Sequence, residues 1–223
     1  AVDQSCVVFI NGRRAARHTG GYLPFEADIT TYLKPGENEI VLAVKDLSDT
    51  SYHARGKQKL DRGGMFYTAQ SGIWQTVWME EVPEAHVDRL KITPLYDEKM
   101  VEVTVCCADR GQVSVAVSSE ETQPWEVEGE ANEPIRIPVP RMHPWTPEDP
   151  FLYFLSVTFG EDRVDSYFAM RKISVSLDAE GIPRTFLNGR PYFQRGVLDQ
   201  GYWPDGLYTA PCDEALEFDI REM

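Results

Sequence analysis

The sequence predicts a mainly β protein: consecutive antiparallel sandwiches that give way near the end of the chain to a hairpin, a strand, a loop and one helix. Three observations predict it. Short apolar runs alternating with polar residues recur from Cys6 to Val175, separated by turn signals such as Asn11-Gly12, Pro35-Gly36 and Gly160-Glu161. The stretch from His86 to Ser176 packs six or seven of these runs at intervals of about 8–12 residues. Helical spacing is convincing in one place, where Leu216, Ile220 and Met223 fall at i, i+4 and i+7 behind Asp213 and Glu214, two carboxylates suited to the positive end of a helix dipole.

Taken in order, residues 6–10 (CVVFI) run into Asn11-Gly12 and a return strand, because both turn residues tolerate the positive φ that a two-residue hairpin loop requires. Gly20-Gly21 and Pro24 break the chain before Phe25. Ile40, Leu42 and Val44 then alternate as a half-buried strand does. Residues 46–72 have no regular pattern but are rich in basic and aromatic side chains, the kind of long loop that carries function. They lead into GIWQTVWMEEV, read as a strand that Pro83 ends, and a domain boundary is placed there.

The second segment reads as an immunoglobulin-like sandwich built from VDRLKITPLY, KMVEVTVCC, QVSVAVS, PIRIPVP, FLYFLSVTF and RVDSYFAMRKISV. Its acidic stretch, Glu120 to Glu133, lacks the Asp/Asn/Gly rhythm of a calcium loop and is expected to be a solvated hairpin and edge. After Asp178 comes FLNGRPYFQRGVLDQGYWPDG. An Asn188-Gly189 hairpin turn leads to an apolar strand at Arg195-Gly196-Val197-Leu198, and then to a loop with Asp199, Gln200, Tyr202, Trp203 and Asp205. Polar and aromatic groups at the C-terminal end of a short apolar strand are how α/β folds build ligand sites.

The chain has 223 residues, 42% hydrophobic and 11% aromatic, with a formal charge of −14. That charge repels nucleic acid and anionic membrane alike. No apolar run approaches the roughly 20 residues of a membrane span. The first residues lack the pattern of a signal peptide, although a chain opening at Ala1 says little on this point. Cys6, Cys106, Cys107 and Cys212 show no metal spacing and read as free thiols, which favours a reducing, cytoplasmic compartment. His18, His53, His86 and His143 are far apart, so no metal site is expected. Neither a nucleophile elbow, a P-loop nor a dinucleotide turn is present, and no cofactor is implied.

HTGGYLPFEADIT, SGIWQTVWMEEV, PWTPEDPFLY, YFAMRKISV and FLNGRPYFQRGV, met in this order and at these intervals, resemble glycoside hydrolase family 2, the β-galactosidase and β-glucuronidase family. The resemblance implies that 1–82 is the C-terminal part of a jelly-roll sugar-binding domain, 83–176 an immunoglobulin-like β-sandwich and 177–223 the start of a (β/α)8 catalytic barrel. It also implies retaining hydrolysis of β-glycosides by two glutamates about 5–5.5 Å apart. Neither glutamate can be placed here: Asn38-Glu39 and Asn132-Glu133 are turn residues, so no catalytic residue is named and the chain alone is expected to be inactive.

Substrate contacts implied by position are Asp199, Gln200, Tyr202 and Trp203 at the barrel mouth, and Tyr67 and Gln70 on the loop at 55–71. Where relatives commonly carry Asn-x-His, this chain has Leu198, Asp199 and Gln200, which leaves the sugar open. Tyr202 and Trp203 could instead pack the barrel end, and Arg195 reads as structural, paired with a buried carboxylate. The implied partner is a carbohydrate, and homo-oligomer formation by the parent protein is left open. The rival reading is a non-catalytic carbohydrate-binding or scaffolding sandwich.

Overall fold

The computed structural model describes all 223 residues, which form two compact units, Ala1–Met79 with Gly196–Met223, and Glu80–Arg195. The second is built mainly of strands, whereas the first joins short strands by long irregular segments.

In the first unit, β1 (Val2–Asp3), β2 (Ser5–Ile10), β3 (Arg13–Thr19) and β4 (Ile40–Lys45) come first along the chain. An antiparallel sheet runs in the order β3-β2-β4. The strand period of two turns Cys6, Val8 and Ile10 inward, where with Val2 they form a core covered by Phe25, Ile29, Tyr32 and Leu42. Each buried Val or Ile contributes about 1.5–3 kcal/mol. Asn11 and Gly12 take φ of 50° and 77°, the hairpin turn expected of them. The Asn11 amide also donates to the Tyr32 carbonyl and to Asn38 Oδ1, so the turn is tied to the loop beneath it.

β4 departs from its expected half-burial. Leu42 packs on the core, but Ile40 and Val44 are exposed although they pair with the buried Ile10 and Cys6, because the core is small and centred on β2 and little covers this edge strand.

The irregular segment that follows is organised by short pairings. β5 (Gln58–Lys59) lies parallel to β6 (Tyr67–Thr68), and β7 (Gly72–Ile73) lies antiparallel to β1. Asp46 closes its base, accepting from the Ser48 N–H (2.8 Å), the Ser48 hydroxyl (3.2 Å) and the Ser71 hydroxyl (2.7 Å), with His53 Nε2 at 3.2 Å. Burial opposes the charge on Asp46, but these hydrogen bonds and the histidine outweigh it and hold the carboxyl below its usual range.

The strand expected from Gly72 to Val82 stops at Ile73. Val77, Trp78 and Met79 are exposed, since no neighbouring strand is there for them to pair with. Helix α1 (Asp213–Glu222) forms, with Arg221 on Glu217 at 3.2 Å, and Leu216, Ile220 and Met223 are all exposed.

The second unit contains β8 (Arg89–Leu95), β9 (Met100–Cys106), β10 (Gln112–Ser119), β11 (Thr122–Glu130), β12 (Pro134–Pro138), β13 (Tyr153–Phe159) and β14 (Asp162–Phe168). Two sheets, β11-β10-β13-β14 and β12-β9-β8, share one core. Val101, Val103 and Val105 of β9 meet Val113, Val115 and Val117 of β10 with Leu155 and Val157 of β13.

The acidic stretch supplies β11, an edge strand whose Glu126, Glu128 and Glu130 face water while Val127 packs inward, a charged edge that discourages further pairing. Gly129 is required there: a Cβ would lie 2.6 Å from the Ile135 side chain. Asn132 is indeed a turn residue, at φ 69°, its side chain bonding both the N–H and the carbonyl of Cys107.

A third sheet of this unit is β15 (Ile173–Leu177), β16 (Pro183–Leu187) and β17 (Arg190–Pro191). Its hairpin turns at Asn188-Gly189, with φ of 51° and 78°. The Asn188 side chain also accepts from the Lys172 N–H (2.9 Å) and donates to the Trp145 carbonyl (3.0 Å).

The strand expected at Arg195–Leu198 does not form. These residues are exposed, Leu198 by 84%, and no strand lies alongside to pair with their backbone groups. Arg195 is likewise exposed, and no carboxylate pairs with it. No helix is long and apolar enough to cross a membrane, and all four cysteines are free.

Candidate functional site: an aromatic and amide cluster

Within the first unit, β5, β6 and the segment around Tyr208 converge on a cluster of rings and amides. Tyr67, on β6, stacks on Tyr202 with centroids 3.8 Å apart and planes within 6°. Tyr208 lies 4.8 Å from Tyr202 and 5.0 Å from Trp74, in both cases tilted, and Tyr22 lies 6.1 Å from Tyr208. The tilted pairs satisfy the ring quadrupoles and add about 0.5–1.5 kcal/mol each beyond area burial, whereas Tyr67 and Tyr202 stack nearly face to face.

Gln58 fastens this cluster from below. It is 3% exposed. Its amide nitrogen donates to the Arg55 carbonyl and to the Tyr208 hydroxyl, both at 2.9 Å, and its amide oxygen accepts the Gln70 N–H at 2.7 Å. Gln70 in turn accepts the Tyr208 N–H at 3.0 Å through its side chain. The Tyr22 and Tyr208 hydroxyls share a hydrogen bond of 2.9 Å, and the Thr209 hydroxyl donates to the Trp74 carbonyl.

Burial, reinforced by the neighbouring tyrosine and by Asp3, pushes the Tyr208 hydroxyl up to about 12 and that of Tyr22 higher still. Both therefore stay protonated at neutral pH. Asp3 lies against the same region, 2% exposed, and Gly21 makes room for it: a Cβ there would sit 2.4 Å from its carboxylate oxygen. Desolvation, then the charge of Asp46, raises the Asp3 carboxyl above its ordinary value.

At the outer end, the amide oxygen of Gln200 accepts from the Tyr67 hydroxyl (3.0 Å) and from Lys57 Nζ (3.2 Å), leaving its two N–H groups for a ligand. The Tyr202 hydroxyl and Gln70 Nε2 have no hydrogen-bond partner in the chain although neither atom is exposed. Such groups are costly unless something pairs with them. The partly exposed Tyr67 ring, the Gln200 amide and the Lys57 ammonium thus lie within a small area.

Four of the six residues expected from the sequence meet here: Tyr67, Gln70, Gln200 and Tyr202. Two do not. Asp199 turns back on its own loop, accepting the Gly201 N–H at 2.8 Å, and Trp203 is engaged in a backbone turn with Leu207. Sequence reasoning missed Tyr22, Lys57, Gln58, Trp74 and Tyr208. Tyr208 lies in GLYTAP, where no periodicity marks it, and Gln58 sits in a basic loop that disguises a buried amide.

Two family models match the chain. "Glycosyl hydrolases family 2, sugar binding domain" spans residues 1–83, and "Glycosyl hydrolases family 2" spans residues 85–171. The chain belongs to glycosyl hydrolases family 2.

Relatives in this family include a putative β-glucuronidase of Formosa agariphila, 36% identical over 110 residues, which cover 48% of this chain and 12% of that protein. A β-galactosidase of Thermoanaerobacter pseudethanolicus is 26% identical over 207 residues, 85% of this chain and 27% of the relative. Among solved structures, the β-glucuronidase from Ruminococcus gnavus superposes with a TM-score of 0.77 at 21% identity, covering 99% of this chain and 39% of that one. That likeness bears on the fold. The chain therefore spans well under half the length of these family 2 proteins.

Proposed function

We propose that this chain is part of a retaining β-glycosidase, β-galactosidase-like in the broad sense that includes β-glucuronidases, and that it supplies carbohydrate contacts while the two catalytic glutamates lie outside it. On this reading 1–82 belongs to a jelly-roll sugar-binding domain, 83–176 to an immunoglobulin-like sandwich and 177–223 to the start of a (β/α)8 barrel. The observation that carries the binding role is the Tyr67–Tyr202 ring pair edged by Gln200 and Lys57. A sugar has an apolar ring face and a rim of hydroxyls; aromatic rings cover the first, and amide or ammonium donors bind the second.

The reaction proposed is double displacement, in which one carboxylate attacks the anomeric carbon and the other protonates the leaving oxygen and then activates water. None of the groups in the cluster is assigned either role. The rival reading, a self-contained carbohydrate-binding module, leaves the exposed Leu216, Ile220 and Met223 of α1 without a purpose, which favours the glycosidase.

The test is direct. Purified chain 1–223 should release no nitrophenol from nitrophenyl β-galactoside or nitrophenyl β-glucuronide above the rate of buffer alone. Measurable turnover, abolished by boiling, would mean that the catalytic pair is inside the chain.

A further inference from the structure

In the second unit, the long connection from β12 to β13 carries His143 on its surface. Its Nε2 lies 2.6 Å from Asp149 Oδ2 and its Nδ1 3.2 Å from Glu121 Oε2. Asp149 is on the same connection, whereas Glu121 is in the turn between β10 and β11. The ring stacks on Phe151 at 4.1 Å and 4°, and the His143 N–H donates to the Tyr153 hydroxyl at 2.7 Å, with Tyr153 buried in the sandwich core. So the backbone of His143 is anchored inward while its ring joins two loops.

We propose that His143 is a pH-dependent clamp that pins the 140–152 connection to the β10–β11 turn and sets the width of the groove between them. A neutral imidazole carries one N–H and can donate to one carboxylate; donating to both requires the imidazolium. The groove has a volume of about 390 Å³ and is walled by Glu120, Glu121 and Trp125 on one side and Pro140 and Arg141 on the other.

The charged groups facing the ring are Glu121 from the turn and Asp149 from its own connection; β13 presents the Tyr153 hydroxyl to the backbone, and Phe151 offers only its face. Glu120 and Arg141 border the same groove. Hydrogen bonds to Asp149 and then Glu121 raise the imidazole above its ordinary value. A raised folded value makes the clamp fully present below about 6.5, the ordinary imidazole value, and loosens it as pH rises through the folded one. Deprotonation leaves Glu121 or Asp149 without its donor, and the turn can swing away from Pro140 and Arg141.

The experiment uses the whole chain. The His143 ring is followed by NMR from pH 5 to 9, and amide hydrogen exchange is followed over 119–123 and 141–150 after correction for intrinsic rates. The midpoint should lie above about 6.5 and fall in both Glu121→Gln and Asp149→Asn, and protection of the two segments should drop about tenfold across it. In His143→Gln, protection should be low and independent of pH. Should that variant fold poorly, Glu121→Gln, a surface change, must still give the lowered midpoint and early loss of protection. An ordinary midpoint in the unaltered chain, or protection that follows pH equally in His143→Gln and the unaltered chain, overturns the proposal.

Discussion

Val115→Asp is expected to unfold the second unit at room temperature. Val115 is fully buried in the middle of β10, opposite Val127 on one side and Val157 on the other. An aspartate there lies in a core of buried valines, isoleucines and leucines, which hold no side-chain donor to pair its oxygens. It must either ionise in an apolar core or stay protonated with unmet hydrogen bonds. The cost exceeds about 4–5 kcal/mol, as large as the whole margin of many domains, about 5–15 kcal/mol. Circular dichroism melts should show loss of cooperative β signal, whereas Val115→Thr, which keeps the shape and adds one hydroxyl, should cost about 1–3 kcal/mol. An aspartate variant that melts like the unaltered chain would mean that this strand is not in the core.

The second large effect is expected at Tyr208. Tyr208→Ala removes ring contacts with Trp74, Tyr22 and Tyr202 and deprives Gln58 of one of its two acceptors. A fully buried aromatic costs about 3–5 kcal/mol on truncation, so this half-buried one should cost about 2–4. Tyr208→Phe keeps the ring and loses only the hydroxyl network, about 1 kcal/mol. Limited proteolysis should report the difference: cleavage within 196–212 should accelerate strongly in the alanine variant and slightly in the phenylalanine one. Equal cleavage in both would assign the anchoring to the hydroxyl rather than the ring.

The contrast between these two positions shows what the sequence made legible. Val113, Val115 and Val117 alternate with polar residues, and that period of two specifies both strand and buried face whatever surrounds it. The same rule misled at Ile40, Val44 and the Val77 to Met79 stretch, because alternation says which face is apolar and not whether anything covers it. The apolar run at Val197-Leu198 failed as a strand for a related reason: a strand needs a partner, and pairing is not a local property.

In the candidate site, Tyr67, Gln70, Gln200 and Tyr202 could be named from loops that resembled a family pattern. Asp199 met its own backbone need first, since an aspartate two residues before a glycine readily closes an Asx turn. Gln58 and Tyr208 were invisible because their importance comes from a contact 150 residues apart along the chain. No local pattern encodes it.

The most direct test of the account is a sugar titration of isotope-labelled chain 1–223. Methyl β-glucuronide and methyl β-galactoside are added to tens of millimolar while side-chain and backbone resonances are followed. The account predicts saturable shifts centred on Tyr67, Tyr202, Gln70 and Gln200, with a dissociation constant on the order of millimolar for at least one sugar, and their loss in Tyr67→Ala. Absence of saturable shifts for both sugars, or the same shifts in Tyr67→Ala, would contradict it.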